Sequence, residues 1–254
     1  TSFSTSTMIH EGGQCIFGDY DNDGLLDAFD FSSPSFRILH NVDGTKQFTQ
    51  LYRTPTFGRP PTIPRFAIVE ALGACWTDFD NDGFIDIYCG AGNPVRQDQI
   101  IHITRGKTFG VTWSHPLARY GRGVTACDFD EDNDMDVYVS NYWLAHNQLF
   151  LNNGSGGFTD VAGKYYAHGG AGHSIGSAWG DFDNDGHFDL FAGNFAHAGQ
   201  PLSRFYRNKG PEGSYHFDYK GPSGVAWQES YASPALGDYD NDGDLDLYFT
   251  TWYG

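Results

Sequence analysis

Twenty aspartates of this chain fall at four fixed positions of one nine-residue pattern, Asp-x-Asp-x-Asp-Gly-x-x-Asp, which occurs five times. The copies span 19–27, 78–86, 128–136, 181–189 and 238–246. Positions 1, 3, 5 and 9 are Asp19, Asp21, Asp23 and Asp27 in the first copy, then Asp78, Asp80, Asp82 and Asp86. They are Asp128, Asp130, Asp132 and Asp136 in the third, Asp181, Asp183, Asp185 and Asp189 in the fourth, and Asp238, Asp240, Asp242 and Asp246 in the fifth. Hard cations such as Ca2+ take six to eight oxygen ligands. A loop with four carboxylates and a glycine at its tight turn has the chemistry to wrap one. Two like charges 4 Å apart repel by roughly 1 kcal/mol in water and about 4 at an effective dielectric of 20. Five such clusters make sense if each holds a metal. The alternative is a set of acidic surface turns, since Asp, Asn and Gly all favour turns.

The flanks identify the elements that must hold these loops. An EF-hand needs Glu at position 12 and a helix on each side; position 12 here is Asp30, Cys89, Val139, Ala192 or Phe249. The flanking segments are instead rich in aromatic and β-branched residues, as in Asp136-Val-Tyr-Val and Leu245-Asp-Leu-Tyr-Phe-Thr-Thr-Trp-Tyr, the signature of strands. Position 2 is always aromatic (Tyr20, Phe79, Phe129, Phe182, Tyr239), which predicts a side chain tucked beneath each loop. Each loop is read as a β-hairpin connection.

Loop starts lie 59, 50, 53 and 57 residues apart, a period that suits propeller blades of several short strands. In the best-preserved unit strand 1 is Ser177-Ala-Trp-Gly and strand 2 is Phe188-Asp-Leu-Phe-Ala-Gly-Asn. Strand 3 is Arg204-Phe-Tyr-Arg-Asn, and strand 4, after a Lys-Gly turn, is Tyr215-His-Phe-Asp-Tyr. The preceding unit repeats the order with Asn147-Gln-Leu-Phe-Leu-Asn-Asn and Phe158-Thr-Asp-Val. The first two units offer Phe36-Arg-Ile-Leu-His-Asn and Gln99-Ile-Ile-His-Ile-Thr as strand 3.

The segments NQLFLNNGSGGFTDV and GSAWGDFDNDGHFDLFAGNF resemble the FG-GAP or VCBS-type repeat, found in integrin α-chain propellers and in the cartilage acidic protein and UnbV-like group. The resemblance covers all five units. It implies an all-β, Ca2+-binding propeller at the cell surface or outside the cell. It also implies the ligand set: the side chains at positions 1, 3, 5 and 9, with the position-7 carbonyl of Leu25, Phe84, Asp134, His187 or Asp244. The third unit departs from the pattern with Asn133 in place of glycine. Asn tolerates the left-handed conformation better than most residues, so that site is expected to survive.

Acidic residues outnumber basic ones by 32 to 15, a formal net charge of −17. Five bound Ca2+ ions, two charges each, bring this to about −7. Nucleic acid is excluded as a partner by charge, and no apolar stretch suits a membrane span. No leader segment is visible, so the chain is read as a mature or trimmed form. Cys75 and Cys89 fall on the strands either side of their loop; a cross-strand disulfide and two buried free thiols are both open readings. Cys15 and Cys127 have no evident pairing. Asn153-Gly-Ser155 is a glycosylation sequon in a Gly-rich turn. Arg59-Pro-Pro-Thr-Ile-Pro64 reads as an irregular loop between blades, extended by its prolines.

The sequence holds no nucleophile elbow, no HExxH and no phosphate-cradling glycine loop. His102 and His173 read as residues that pack or hydrogen-bond the backbone. The expectation is therefore a non-enzymatic extracellular scaffold, 1–254 forming one propeller domain of about five four-stranded blades. It would recognise a protein or glycan, with Trp143, Trp179, Trp227 and Trp252 as stacking platforms or, for most of them, buried core residues. The alternatives are a structural subunit that self-associates into a Ca2+-stabilised filament, and an enzyme with a site on the propeller face. Seventeen residues run from Asp238 to the last residue and eighteen precede Asp19. Five blades close if these ends, Phe3–Ile9 and Trp252–Gly254 included, share a blade; the rival is a fragment of a seven-bladed propeller. An uncovered edge at Tyr248–Tyr253 would invite pairing with another copy.

Overall fold

The computed structural model describes residues 14–31, 37–42, 48–53, 71–92, 97–105, 108–195, 197–219 and 231–251. Phe3–Ile9, Arg59–Pro64, Trp227 and Trp252–Gly254 lie outside the described residues. The chain divides into two compact units, 1–119 and 120–254.

The first unit holds two four-stranded antiparallel sheets. One runs β1 (Cys15–Gly18), β2 (Asp27–Asp30), β3 (Arg37–Asn41) and β4 (Phe48–Arg53). The other runs β5 (Ala71–Thr77), β6 (Asp86–Ala91), β7 (Gln97–Thr104) and β8 (Thr108–Ala118). Each sheet is a meander in sequence order, the topology of a propeller blade. Its core gathers Phe29, Ile38, Ile87 and Ile101, with Trp76 packed against them. Trp76 also donates from Nε1 to the Ile16 carbonyl at 3.3 Å, joining the two blades.

The second unit repeats the design with β9 (Gly121–Cys127), β10 (Asp136–Asn141), β11 (Gln148–Asn152) and β12 (Phe158–Asp160). The next blade is β13 (Ser174–Gly180), β14 (Asp189–Asn194), β15 (Arg204–Asn208) and β16 (Phe217–Tyr219). β17 (Tyr231–Gly237) and β18 (Asp246–Thr251) pair as a two-stranded sheet among the described residues. The second strands β6, β10 and β14 are buried at every residue, which explains their β-branched and aromatic runs. Trp179 lies in this core, stacked on Phe129 and edge-on to Tyr138.

The expected strand order holds in every described blade, with boundaries shifted by one to three residues. Strand 3 of the fourth blade, Arg204–Asn208, is as read, and a single 3-10 turn over Pro211–Gly213 follows its Lys-Gly turn. Tyr20, Phe79 and Phe129 are buried beneath their loops as expected, and Phe182 is half-buried. Tyr239 departs from this, at 81% exposed above the two-stranded sheet.

Of the two open readings of Cys75 and Cys89, the structure shows the free thiols. Cys75 stands opposite Tyr88, and Cys89 opposite Ala74. Residues directly opposite share a face and neighbours along a strand alternate, so the two sulfurs leave the sheet on opposite sides. Both are free thiols, and burial pushes the Cys75 thiol up to about 12.

Candidate metal centres

Each nine-residue loop makes its turn with two left-handed residues. Position 6 has φ of 85°, 89°, 91° and 96° at Gly24, Gly83, Gly186 and Gly243, and Asn133 adopts 72° in the same place. Position 4 is also left-handed, with φ between 56° and 60° at Asn22, Asn81, Glu131, Asn184 and Asn241. That explains the Asp-Asn-Asp core of four copies, since Asn enters this region more readily than most residues. Position 4 is thus a structural position of the loop, legible in the sequence as the Asn of four copies.

The carboxylates organise the loop around themselves. Asp19 accepts the N–H of Asp23 on Oδ1 and that of Gly24 on Oδ2, at 3.1 and 2.8 Å. The same two bonds recur at Asp78, Asp128, Asp181 and Asp238. Position 5 accepts the N–H of position 7, as Asp23 does from Leu25 at 2.8 Å, Asp82 from Phe84, Asp132 from Asp134, Asp185 from His187 and Asp242 from Asp244.

Position 9 ties the loop to the blade. Asp27 accepts the Tyr20 N–H on Oδ2 at 3.3 Å and the Asn41 N–H, from β3, on Oδ1 at 2.8 Å. Asp86 does this with Phe79 and Ile103, Asp136 with Phe129 and Asn152, and Asp189 with Phe182 and Asn208. Asp246 accepts the Tyr239 N–H at 3.0 Å. In the first four loops one carboxylate therefore couples the start of the loop, strand 2 and strand 3.

The test of fit for a cation lies at position 3. Oδ1 of Asp21, Asp80 and Asp130 is buried with no hydrogen-bond partner among the described residues. Leaving a buried acceptor unsatisfied costs about 1–3 kcal/mol, more when it is charged. Ligand atoms of Asp19, Asp21 and Asp23, of Asp78, Asp80 and Asp82, and of Asp128, Asp130 and Asp136 lie within 4.8 Å of one another. Burial first, then the neighbouring carboxylates, pushes Asp130 up to about 6. Burial also raises Asp136 to about 8 and Asp86 and Asp189 to about 6, against their backbone hydrogen bonds. A hard divalent cation satisfies the orphaned oxygens and removes the repulsion, so these residues fit one.

Strand 3 adds a group that the sequence reading missed. His40 Nδ1 lies 3.1 Å from Asp27 and 3.7 Å from Asp21, and His102 Nδ1 lies 3.0 Å from Asp86 and 3.3 Å from Asp80. The sequence reading gave His102 packing or a backbone hydrogen bond, not a carboxylate partner. At the same register β11 carries Leu151, and β15 carries Arg207, which pairs with Asp183 at 2.5 Å and Asp185 at 2.7 Å. In each case this residue precedes the one whose N–H caps position 9.

Cross-blade hydrogen bonds link the loops within each unit. Asn22 Nδ2 donates to the Gly83 carbonyl at 2.8 Å, and Asn184 Nδ2 to Asp244 at 2.7 Å. His187, at position 7 of the fourth loop, reaches Glu131 of the third through its ring. Asn153 is exposed in its turn and accepts the N–H groups of Ser155 and Gly157, each at 3.0 Å.

A family model described as "FG-GAP-like repeat" matches residues 78–139 and 128–192. Residues 78–192 carry FG-GAP-like repeats. Those matches contain the second, third and fourth loops; the first and fifth loops, outside them, share the same hydrogen-bond frame. Cartilage acidic protein 1 of Xenopus tropicalis is 31% identical over 134 residues, covering 51% of this chain and 20% of that protein. The Homo sapiens protein is 28% identical over 134 residues with the same coverage. The chain thus spans about a fifth of the length of the curated relatives it matches. A solved structure of an Agrocybe aegerita lectin, described as recognising non-reducing terminal N-acetylglucosamine, superposes with a TM-score of 0.56 at 16% identity. It covers 93% of this chain and 60% of the lectin, a likeness of fold alone. The FG-GAP repeats and this likeness agree with the all-β propeller class.

Proposed function

We propose that this chain is a non-enzymatic recognition module of the propeller class, made rigid by Ca2+ at its FG-GAP loops and working outside the cell. The observation that carries the Ca2+ reading is the buried, unpartnered position-3 oxygen of Asp21, Asp80 and Asp130. In the first loop Asp19, Asp21, Asp23, Asp27 and the Leu25 carbonyl would hold the ion, and the other four loops would use the same positions. The ion supplies positive charge and oxygen coordination; the protein supplies a preformed turn and the position-9 anchor. Extracellular modules bind Ca2+ at about 10⁻⁴–10⁻³ M, a range suited to structural occupancy outside the cell. Similarity to cartilage acidic protein 1 supports that location, and no helix among the described residues is long and apolar enough to cross a membrane.

Recognition of a protein or glycan by loops at one end of the blades is the role that this frame serves. The Agrocybe lectin binds a sugar on a related fold. The test is calorimetric titration of the chelator-treated protein with Ca2+, paired with a metal assay of the loaded form. Five ions per chain are expected, against little heat from Zn2+ or Cu+. Two ions or fewer per chain, or a preference for a soft metal, overturns the reading.

A further inference from the structure

The end of the second unit opposite its metal loops differs from the rest of the molecule. The segments Tyr120–Val124, Asn141–Gln148, Ala167–Ser174 and Gly193–Arg204 contain no Asp or Glu in a chain of net charge −17. They hold four histidines and two arginines. Backbone bonds gather them: Tyr142 N–H to the Tyr120 carbonyl at 2.8 Å, Leu144 N–H to Gly172 at 2.8 Å, and Phe195 N–H to His173 at 2.9 Å.

On this end Trp143 stands 61% exposed. Its ring is stacked on Tyr120, with centroids 5.2 Å apart and planes 16° apart. Trp143 and Leu144 both have left-handed backbones, with φ of 60° and 58°. Bulky residues rarely adopt this conformation, and strain of this kind concentrates where function demands it. Beside the stack the Arg122 guanidinium lies 4.4 Å from the centre of the Tyr142 ring and 5.8 Å from that of Tyr120. No carboxylate pairs with it among the described residues, and its Nε is buried without a partner. His173 packs against the Tyr142 ring, with centroids 4.5 Å apart.

A largely exposed indole, stacked on a tyrosine ring that also borders an unneutralised guanidinium, suits one ligand chemistry. We infer that this end binds a carboxylate-bearing saccharide, a uronic acid residue whose ring stacks on Trp143 and whose carboxylate pairs with Arg122. A pyranose ring presents an apolar face to an aromatic side chain, and the planar guanidinium fork matches a carboxylate. The inference deepens the proposed recognition role and rests on it.

The test uses the full Ca2+-loaded chain, titrated with a glucuronate-containing tetrasaccharide, its neutral methyl ester and hexaglutamate, with tryptophan fluorescence and calorimetry as readouts. The acid form is expected to bind saturably, and the ester and the peptide at least about tenfold more weakly. Trp143→Ala and Arg122→Gln should each weaken binding at least about tenfold, with Ca2+-dependent melting as in the parent; Trp143→Phe should retain most of the affinity. Equal affinity for the ester, peptide binding as tight as the saccharide, unaffected variants or no saturable binding each overturn the inference. Ca2+ titration of the same samples separates the cases: a failed sugar titration with normal Ca2+ binding sinks this inference alone.

Discussion

The Tyr88 hydroxyl donates to the fully buried Asp98 carboxylate at 2.9 Å, beneath the second blade and away from its metal loop. Asp98 also accepts the Ala91 N–H at 2.8 Å, closing the end of β6 onto β7. The third blade makes the same joint with an amide: Asn147 accepts the Asn141 N–H at 2.9 Å, and its Nδ2 donates to the Tyr138 hydroxyl at 2.9 Å. One position, fulfilled by an acid in one blade and an amide in the next, shows that this joint needs hydrogen bonds and not a charge.

Burial raises Asp98 to about 6, against the opposing hydrogen bonds from Ala91 and Tyr88 and the nearby charge of His115. An unfolded aspartate titrates near 3.9. Between about pH 4 and 6 the folded form therefore keeps a proton that the unfolded form has lost, and stability falls as pH rises through that window. Asp98→Asn should remove this slope. Denaturant melts in Ca2+ should show the variant more stable above pH 6 by on the order of 2 kcal/mol, and equal to the parent below pH 4. A variant less stable at pH 7 would show that the charge is needed.

Chelation should lower the melting temperature sharply. A ligand bound only to the folded form at a hundredfold excess over its dissociation constant stabilises by about 2.7 kcal/mol per site. Several sites approach the 5–15 kcal/mol net stability of an ordinary domain. Asp130→Ala should lose Ca2+-dependent stability, whereas Asp160→Ala, exposed at the end of β12 where it accepts the Ala162 N–H, should keep it. Superimposable melting curves with and without excess chelator would show the loops to be ordinary turns.

Arg207 places a permanent cation against Asp183 and Asp185, two of the residues that would hold the fourth ion. The fourth loop should accordingly be the weakest site. Arg207→Leu, which copies Leu151 of the third blade, should raise its affinity about tenfold by removing that repulsion. Terbium luminescence, excited through nearby aromatic rings, reads the change. Unaltered occupancy in the variant would mean that Arg207 swings clear at no cost.

Asn22 combines a left-handed backbone, φ 58°, with the hydrogen bond to Gly83. Asn22→Ala should destabilise by about 1–2 kcal/mol, the backbone penalty and the lost bond together. Asn22→Gly loses only the bond and should cost about half as much. Equal melting temperatures for the two variants would show that the backbone conformation contributes nothing.

What was legible in the sequence is what is local. A carboxylate that caps N–H groups four and five residues ahead acts within its own turn, so Asp19-x-Asp21-x-Asp23 could be recognised without a fold. The repeat spacing, the strand-like flanks and the aromatic at position 2 carried the blade architecture in the same way. What lay beyond reach depends on register. His40, His102 and Arg207 meet their loops from strand 3, where a one-residue slip would turn each side chain to the other face. The same sensitivity left two readings of Cys75 and Cys89 open, which the register decides by setting Cys75 against Tyr88. Trp179 and Trp143 are one residue type read alike from sequence. Tertiary packing sank the first between Phe129 and Tyr138 and, through a left-handed turn held by Gly172, set the second on the surface.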